Sequence, residues 1–427
     1  MTSAPPRPPV PPPTQSRPGA GERLPEVPTV DTRTSDEPLT VLLVHNFYQK
    51  PGGEDRVFEV EGAMLEQHGH RVLRYTLHND DVEGMSRVGL AARTIWSRSS
   101  HREVQQLVER EGVDVVHVHN TLPLASPSVY YGARAGGAAV VQTLHNYRFI
   151  CPGALLLREG NLCHDCVGRS VALPAVRHGC YRDSTSATAA VVASQSVHRA
   201  MGTYSEAVDR YIALSEFARE LFTQGGLPAE QIAVKPNALA SDPEIGPGGD
   251  FALFAGRLSK GKGIQVLLDA WASDPELPAL KIAGDGERAG LVQAAAEADP
   301  RIEWLGWTQS KEMQRLMGQA AVLVTPSMWY EGWPLVAIEA MGQGTPVVAT
   351  AHGAFNEMIV DGVTGALIPR GDALALAASV RSLTDNLADQ PRVRRATWEL
   401  FHTRFTREIN YRQLRGVYAD ALAHRRV

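Results

Sequence analysis

The sequence predicts a parallel α/β fold built as two doubly wound, Rossmann-like units that face each other across a cleft. Three observations carry that prediction. Apolar runs of strand length alternate with helical patterns, the alternation stops in a turn-rich stretch at 241–250 and then restarts, and a glycine-bearing loop follows the first strand of each half. The length of 427 residues allows two or three domains, and 44% hydrophobic with 21% charged residues is ordinary for a soluble globular protein.

In chain order, residues 1–38 hold 11 of the 28 prolines and few aromatics. Such a segment cannot bury enough apolar surface to offset its ordering entropy, so it reads as a disordered tail. A first unit spans 39–240, with strands at 40–44 (TVLLV), 113–118 (VDVVHV), 138–144 (AAVVQTL) and within 207–214, and a helix from about Asp55. An irregular insertion at 151–183 interrupts it. A second unit spans 250–405, with strands at 251–255, 280–283, 302–305, 322–325 and 346–349, and a short edge strand at 363–368. A closing helix within 406–427 is expected to pack across the domain junction. In such sheets ligands bind at the carboxyl ends of the strands.

Composition narrows the function. A net charge of −5 leaves no excess of Lys and Arg to neutralise phosphates over an extended surface, so no nucleic-acid partner is expected. There is no apolar run of spanning length and no apolar segment typical of a secretory leader. Four cysteines are too few for a disulfide scaffold. A cytoplasmic setting follows as the expectation, and the oligomeric state is left open.

Two segments carry chemistry. After the strand at 251–255 comes Gly256-Arg-Leu-Ser-Lys-Gly261-Lys-Gly263, close to a phosphate-binding P-loop but with Gly263 where a magnesium-binding Ser or Thr is required. ATP hydrolysis is therefore not expected. Close backbone approach, two cations (Arg257 and Lys262) and a helix amino terminus suit a diphosphate; the plain alternative is a strand-to-helix turn with solvated charges. The second segment, Trp329-Tyr-Glu-Gly-Trp-Pro-Leu-Val-Ala-Ile-Glu-Ala-Met341, puts Glu331 on a loop at a strand end and Glu339 one turn into a helix. Carboxylates there can accept hydrogen bonds from vicinal hydroxyls. The plain alternatives are a helix cap for Glu331 and a salt-bridged surface residue for Glu339.

Together these residues, with seven positions between the two glutamates, resemble the retaining glycosyltransferases of family 4, of GT-B fold. The resemblance runs from about Val41 to Tyr418. It includes Pro51-Gly-Gly-Glu54 after the first strand, Val116-His-Val-His119, Thr143-Leu-His145 and Val234-Lys-Pro-Asn237, with Ala238 where the family commonly has glycine. It implies that Arg257 and Lys262 neutralise the nucleotide diphosphate, that Glu339 binds the ribose hydroxyls and that Glu331 binds the donor sugar. Gly52 and Gly53 would let the chain approach the phosphates, while His145 would stand at the reacting centre with His119 close by. Asn237, Gly332, Trp333 and Leu335 complete the implied donor set. The implied activity is retaining transfer from a UDP- or GDP-sugar to a hydroxyl of a glycan, a lipid-linked or a small-molecule acceptor.

In that reaction charge grows on the leaving diphosphate, and fixed cations aimed at it act by electrostatic preorganisation. No Asp-x-Asp stands at a strand end, so no catalytic metal is expected. A sugar-nucleotide epimerase on the same fold and a non-catalytic, zinc-stabilised binding module are the alternatives.

The four cysteines, Cys151, Cys163, Cys166 and Cys180, lie within 30 residues, and Cys163-His-Asp-Cys166 has the spacing of a thiolate knuckle. A structural zinc is expected; buried free thiols, a Cys163–Cys166 disulfide or an iron–sulfur cluster are the alternatives. Finally, residues 89–110 carry Arg93, Trp96, Arg98, His101 and Arg102, a pattern for an amphipathic helix on a membrane surface or for a solvated face.

Overall fold

A computed structural model describes residues 37–50, 52–385 and 389–425. All but Glu37 and Pro38 of the proline-rich segment, and Pro51 of the first glycine loop, lie outside the described residues.

The amino-terminal sheet contains β1 (Thr40–Phe47), β2 (Arg71–His78), β3 (Val115–Val118), β4 (Ala139–Leu144), β7 (Arg210–Ala213) and β8 (Ile232–Val234), while β5 (Leu157–Arg158) and β6 (Asn161–Leu162) form a separate hairpin. Its order is β2-β1-β3-β4-β7-β8, parallel throughout. The second sheet contains β9 (Phe251–Ala255), β10 (Leu280–Ala283), β11 (Ile302–Gly306), β12 (Ala320–Thr325), β13 (Val347–Thr350) and β14 (Gly365–Ile368), in the order β11-β10-β9-β12-β13-β14, again parallel. The inner strands read as unbroken apolar runs because helices cover both faces; β4 and β12 are buried along their whole length.

Two expectations need correction. The insertion at 151–183 is not irregular throughout, since it holds the β5–β6 hairpin and the helix Leu173–His178. The stretch 89–110 is not one helix: Trp96 is extended, and the Ser97 side chain caps a new helix by accepting from Ser100 N, giving Arg87–Ile95 and Arg98–Glu111. Trp96 stacks on His198 (centroids 6.1 Å apart), so its ring belongs to the fold. The final helix, Arg407–Arg425, packs on the first domain: Leu414, Val417, Tyr418 and Ala421 share a core with Val41, Leu43, Phe58 and Val141. The preceding helix, Gln390–Arg404, stays with the second domain through Leu400 and Phe401. Among the described residues no helix is long and apolar enough to cross a membrane.

Candidate functional site

Strand order reverses between β9 and β12 in the second sheet and between β1 and β3 in the first. At such switch points the loops on either side diverge and open a crevice at the strand carboxyl ends. The loop 256–263 follows β9 and the loop 326–334 follows β12, so the topology brings together the two segments singled out in the sequence. The first domain repeats the pattern, with Gly52 and Gly53 after β1, His119 after β3 and His145 after β4.

In the second domain the two loops are in direct contact. Met328 N donates to Gly261 O (2.8 Å), and a Cβ on Gly261 would lie 2.1 Å from the Trp329 ring, so the close approach requires glycine. Lys262 Nζ donates to Glu331 Oε1 at 2.8 Å, and the same oxygen accepts from Ser327 Oγ (2.6 Å) and Trp329 Nε1 (2.8 Å). Burial alone would raise the pKa of Glu331, but the Lys262 ammonium and these hydrogen bonds hold it below the usual carboxylate value. Glu339 sits on the helix Leu335–Gly342 and pairs with Arg56 of the first domain; burial raises its pKa, and Arg56 only partly opposes that. Arg257 is exposed just beyond β9. Trp333 has its ring in the second domain's core, 5.4 Å from Phe405, and Leu335 opens the helix beside it, half-buried.

The first domain meets this edge closely. A Cβ on Gly53 would lie 3.8 Å from Leu335 Cδ1, and one on Gly332 would lie 2.9 Å from the His145 carbonyl oxygen. Gly52 N donates to Asp55 Oδ2 at 2.7 Å, which fixes the turn into the helix Gly53–Gln67. His119 Nδ1 and His145 Nε2 share a hydrogen bond of 2.9 Å. Burial, and then the neighbouring imidazoles and Lys235, push both pKa values well below 6.5, so both rings are neutral at pH 7. Beside His145, an open pocket is lined by His119, Asn120, Gln142, Asn146 and Arg148 among others. Asn237 is buried past the end of β8, with Oδ1 unpaired.

Several charged residues went unassigned in the sequence. Lys235, fully buried, donates to Glu61 Oε1 (2.7 Å) and Asn410 Oδ1 (2.9 Å). The available signal was a lysine inside the apolar run that ends the first domain. Among the described residues, Glu61, His117 and His119 form the one group of three or more His, Cys, Asp or Glu with ligand atoms within 4.8 Å. Lys235 already supplies that carboxylate's positive partner. Glu54 accepts from Tyr48 (3.0 Å) and from Asn146, with its pKa raised by burial.

The cysteines do not fit the expected zinc cage. All four are free thiols lining one small cavity, yet no three sulfurs lie within 4.8 Å of one another, whereas ligands around one zinc sit under about 4 Å apart. Burial drives the Cys166 pKa up to about 12 and also raises Cys163 and Cys180. Cys166 and Cys180 pack with Ala172, Ala175 and Val192.

Residues 51–242 match the family model described as Glycosyltransferase Family 4, and residues 250–386 match Glycosyl transferases group 1. A phosphatidyl-myo-inositol mannosyltransferase of Mycobacterium leprae is 27% identical over 337 residues, covering 75% of this chain and 79% of that protein. An amylovoran biosynthesis glycosyltransferase of Erwinia amylovora is 33% identical over 173 residues, which is 38% of this chain and 42% of that protein. Among solved structures, Anabaena HepE in complex with UDP aligns with a TM-score of 0.62 at 18% identity, over 88% of this chain and 98% of HepE. Sucrose-phosphate synthase from Thermosynechococcus elongatus aligns with a TM-score of 0.64 at 19% identity, over 90% of this chain and 99% of that one.

Proposed function

The chain is a glycosyltransferase of the family 4 type with the GT-B fold, and on that premise we propose that it transfers a sugar, with retention of anomeric configuration and without a catalytic metal, from a UDP- or GDP-sugar to an acceptor hydroxyl. The observation that carries this reading is the Lys262–Glu331 pair, set at the switch point of the second sheet with Gly332 against the His145 carbonyl. That arrangement joins a cation for a leaving diphosphate, a carboxylate for sugar hydroxyls and a neutral imidazole across one cleft. The HepE complex with UDP shows that a neighbour of this fold holds a nucleoside diphosphate.

In the proposed reaction, Lys262 and Arg257 neutralise the diphosphate as the glycosidic bond breaks, the role a metal plays in other designs. Glu331 releases its protein donors in part and takes the donor sugar's hydroxyls. Glu339 exchanges Arg56 for the ribose. The acceptor, a hydroxyl of a glycan, a lipid-linked saccharide or a small molecule, enters by the cavity beside His145. The oxygen of the departing phosphate takes the acceptor proton, so the new bond forms on the face the phosphate leaves.

The test is a panel of UDP- and GDP-sugars assayed for donor hydrolysis and transfer. Turnover with one donor, lost in Glu331→Ala together with nucleotide-sugar binding, is the expected result. No turnover with any donor, and unchanged binding in Glu331→Ala, would overturn the proposal.

A further inference from the structure

Tyr330, which immediately precedes Glu331, belongs by sequence to the second domain but is buried in the core of the first. It is 6% exposed and clusters with the first domain's apolar residues. Its ring centroid lies 4.7 Å from Phe217, 6.5 Å from Tyr147 at 72° and 5.6 Å from His164, with the His164 plane within 6° of parallel. His352 of its own domain closes another side edge-on at 5.3 Å. The three walls come from separate parts of the first domain. Tyr147 follows His145, Phe217 opens the helix Glu216–Gln224, and His164 sits inside the Cys163–Cys166 knuckle.

The loop is bracketed elsewhere too. Arg370 donates from Nε to Met328 O (2.8 Å) and also reaches Gly160 O in the β5–β6 hairpin. Glu357 accepts from the backbone of both Glu216 and Phe217 at 2.9 Å, so it pins the helix that carries the Phe217 wall. An aromatic ring seated between offset and edge-on neighbours is held in position and orientation. One peptide link separates that ring from the carboxylate that faces Lys262. Opening the cleft as a rigid-body motion would draw Tyr330 out of its socket.

We infer that Tyr147, Phe217 and His164 form a positioning socket for the donor loop: seating Tyr330 in it sets Glu331 in its sugar-binding geometry, and the cysteine-bearing insertion contributes His164 as the socket's lid. The inference rests on the reading of Glu331 as a donor ligand. It gives the insertion a part in donor binding that its distance in sequence from the donor loop conceals. His164 is a positioning residue here, acting through Tyr330.

Hydrogen–deuterium exchange of residues 326–334 in the nucleotide-free protein, with calorimetric titration of UDP- and GDP-sugars, tests this on wild type, His164→Ala and His164→Phe. The Ala variant should exchange faster across 326–334 and bind the preferred nucleotide sugar about threefold to tenfold more weakly. Its KM for donor should rise, with kcat little changed. The Phe variant, which keeps a stacking ring, should restore both readouts, and Tyr330→Ala should show the same defects more strongly. Unchanged exchange and affinity in His164→Ala overturns the socket. A wild type that binds no UDP- or GDP-sugar removes the donor reading of Glu331, and the exchange comparison then decides the socket alone.

Discussion

One oxygen atom shows how the candidate site is tuned. Glu331 Oε1 accepts from Lys262, Ser327 and Trp329, so a carboxylate that is only 9% exposed stays ionised. Glu339, on the same stretch, shifts the other way because burial outweighs its single partner Arg56. The contrast makes Lys262 the residue on which the site's charge depends. Lys262→Met should lower kcat by about 10²–10³-fold, the usual cost of losing one fixed charge donor at a leaving group. It should also move the acidic limb of the pH–rate profile upward, because burial then raises the pKa of Glu331 against the Ser327 and Trp329 hydrogen bonds alone. A donor-hydrolysis assay across pH reads both effects, and an unmoved limb would separate Lys262 from Glu331. Lys262 and Glu331 were legible in the sequence because each lies in a short run whose glycines and strand context mark a ligand loop. Arg56 and Lys235 were not, since their partners are distant in the chain: Lys235 and Glu61 are 174 residues apart. Tyr330 lies in the same motif, but nothing local in the sequence says that its ring enters the other domain.

At the level of elements, buried parallel strands announced themselves as apolar runs, and 251–255 and 280–283 match β9 and β10 to the residue. The edge strand β2 did not, because its side chains are largely half-exposed and alternate with Arg71, Arg74 and His78, which breaks the run. The three-residue β8 is too short to carry a pattern. The cysteine insertion was legible as a cluster, but not in its chemistry. Spacing cannot show that the sulfurs stand apart and pack as apolar groups. Cys166→Ala removes a small group from a small apolar cluster, so it should cost about 1 kcal/mol in urea unfolding. It should also leave the helix Leu173–His178 as protected from hydrogen exchange as in the wild type. If the substitution instead strips a stoichiometric zinc and unfolds 151–183, the packed-thiol account fails.

Across the whole molecule, the two sheets turn their switch points toward one cleft, and the final helix ties the chain back to the first domain. That tie ends in a buried polar seam: Tyr418 lies 2.9 Å from His117 Nδ1, Thr143 Oγ1 lies 2.7 Å from His117 Nε2, and Lys235 bridges Glu61 and Asn410. Burial lowers the His117 pKa from 6.5 to about 4, with Glu61 opposing and Lys235 assisting, and His119 and His145 shift the same way. In the unfolded chain these imidazoles protonate near pH 6.5, while in the folded protein His117 resists until about pH 4. Between those values the unfolded state binds more protons, so stability is full above pH 6.5 and falls as the pH drops toward 4. Each such histidine contributes about 1.4 kcal/mol per pH unit within the window. Urea midpoints measured from pH 7.5 down to 4.5 should therefore be flat at first and then decline steeply. His117→Gln, which cannot take the proton, should be less stable than wild type at pH 7.5 but show a shallower decline. A wild-type midpoint that stays level to pH 4.5 would mean that the seam opens to water in solution, and the neutral imidazole assigned to the reacting centre would lose its footing with it.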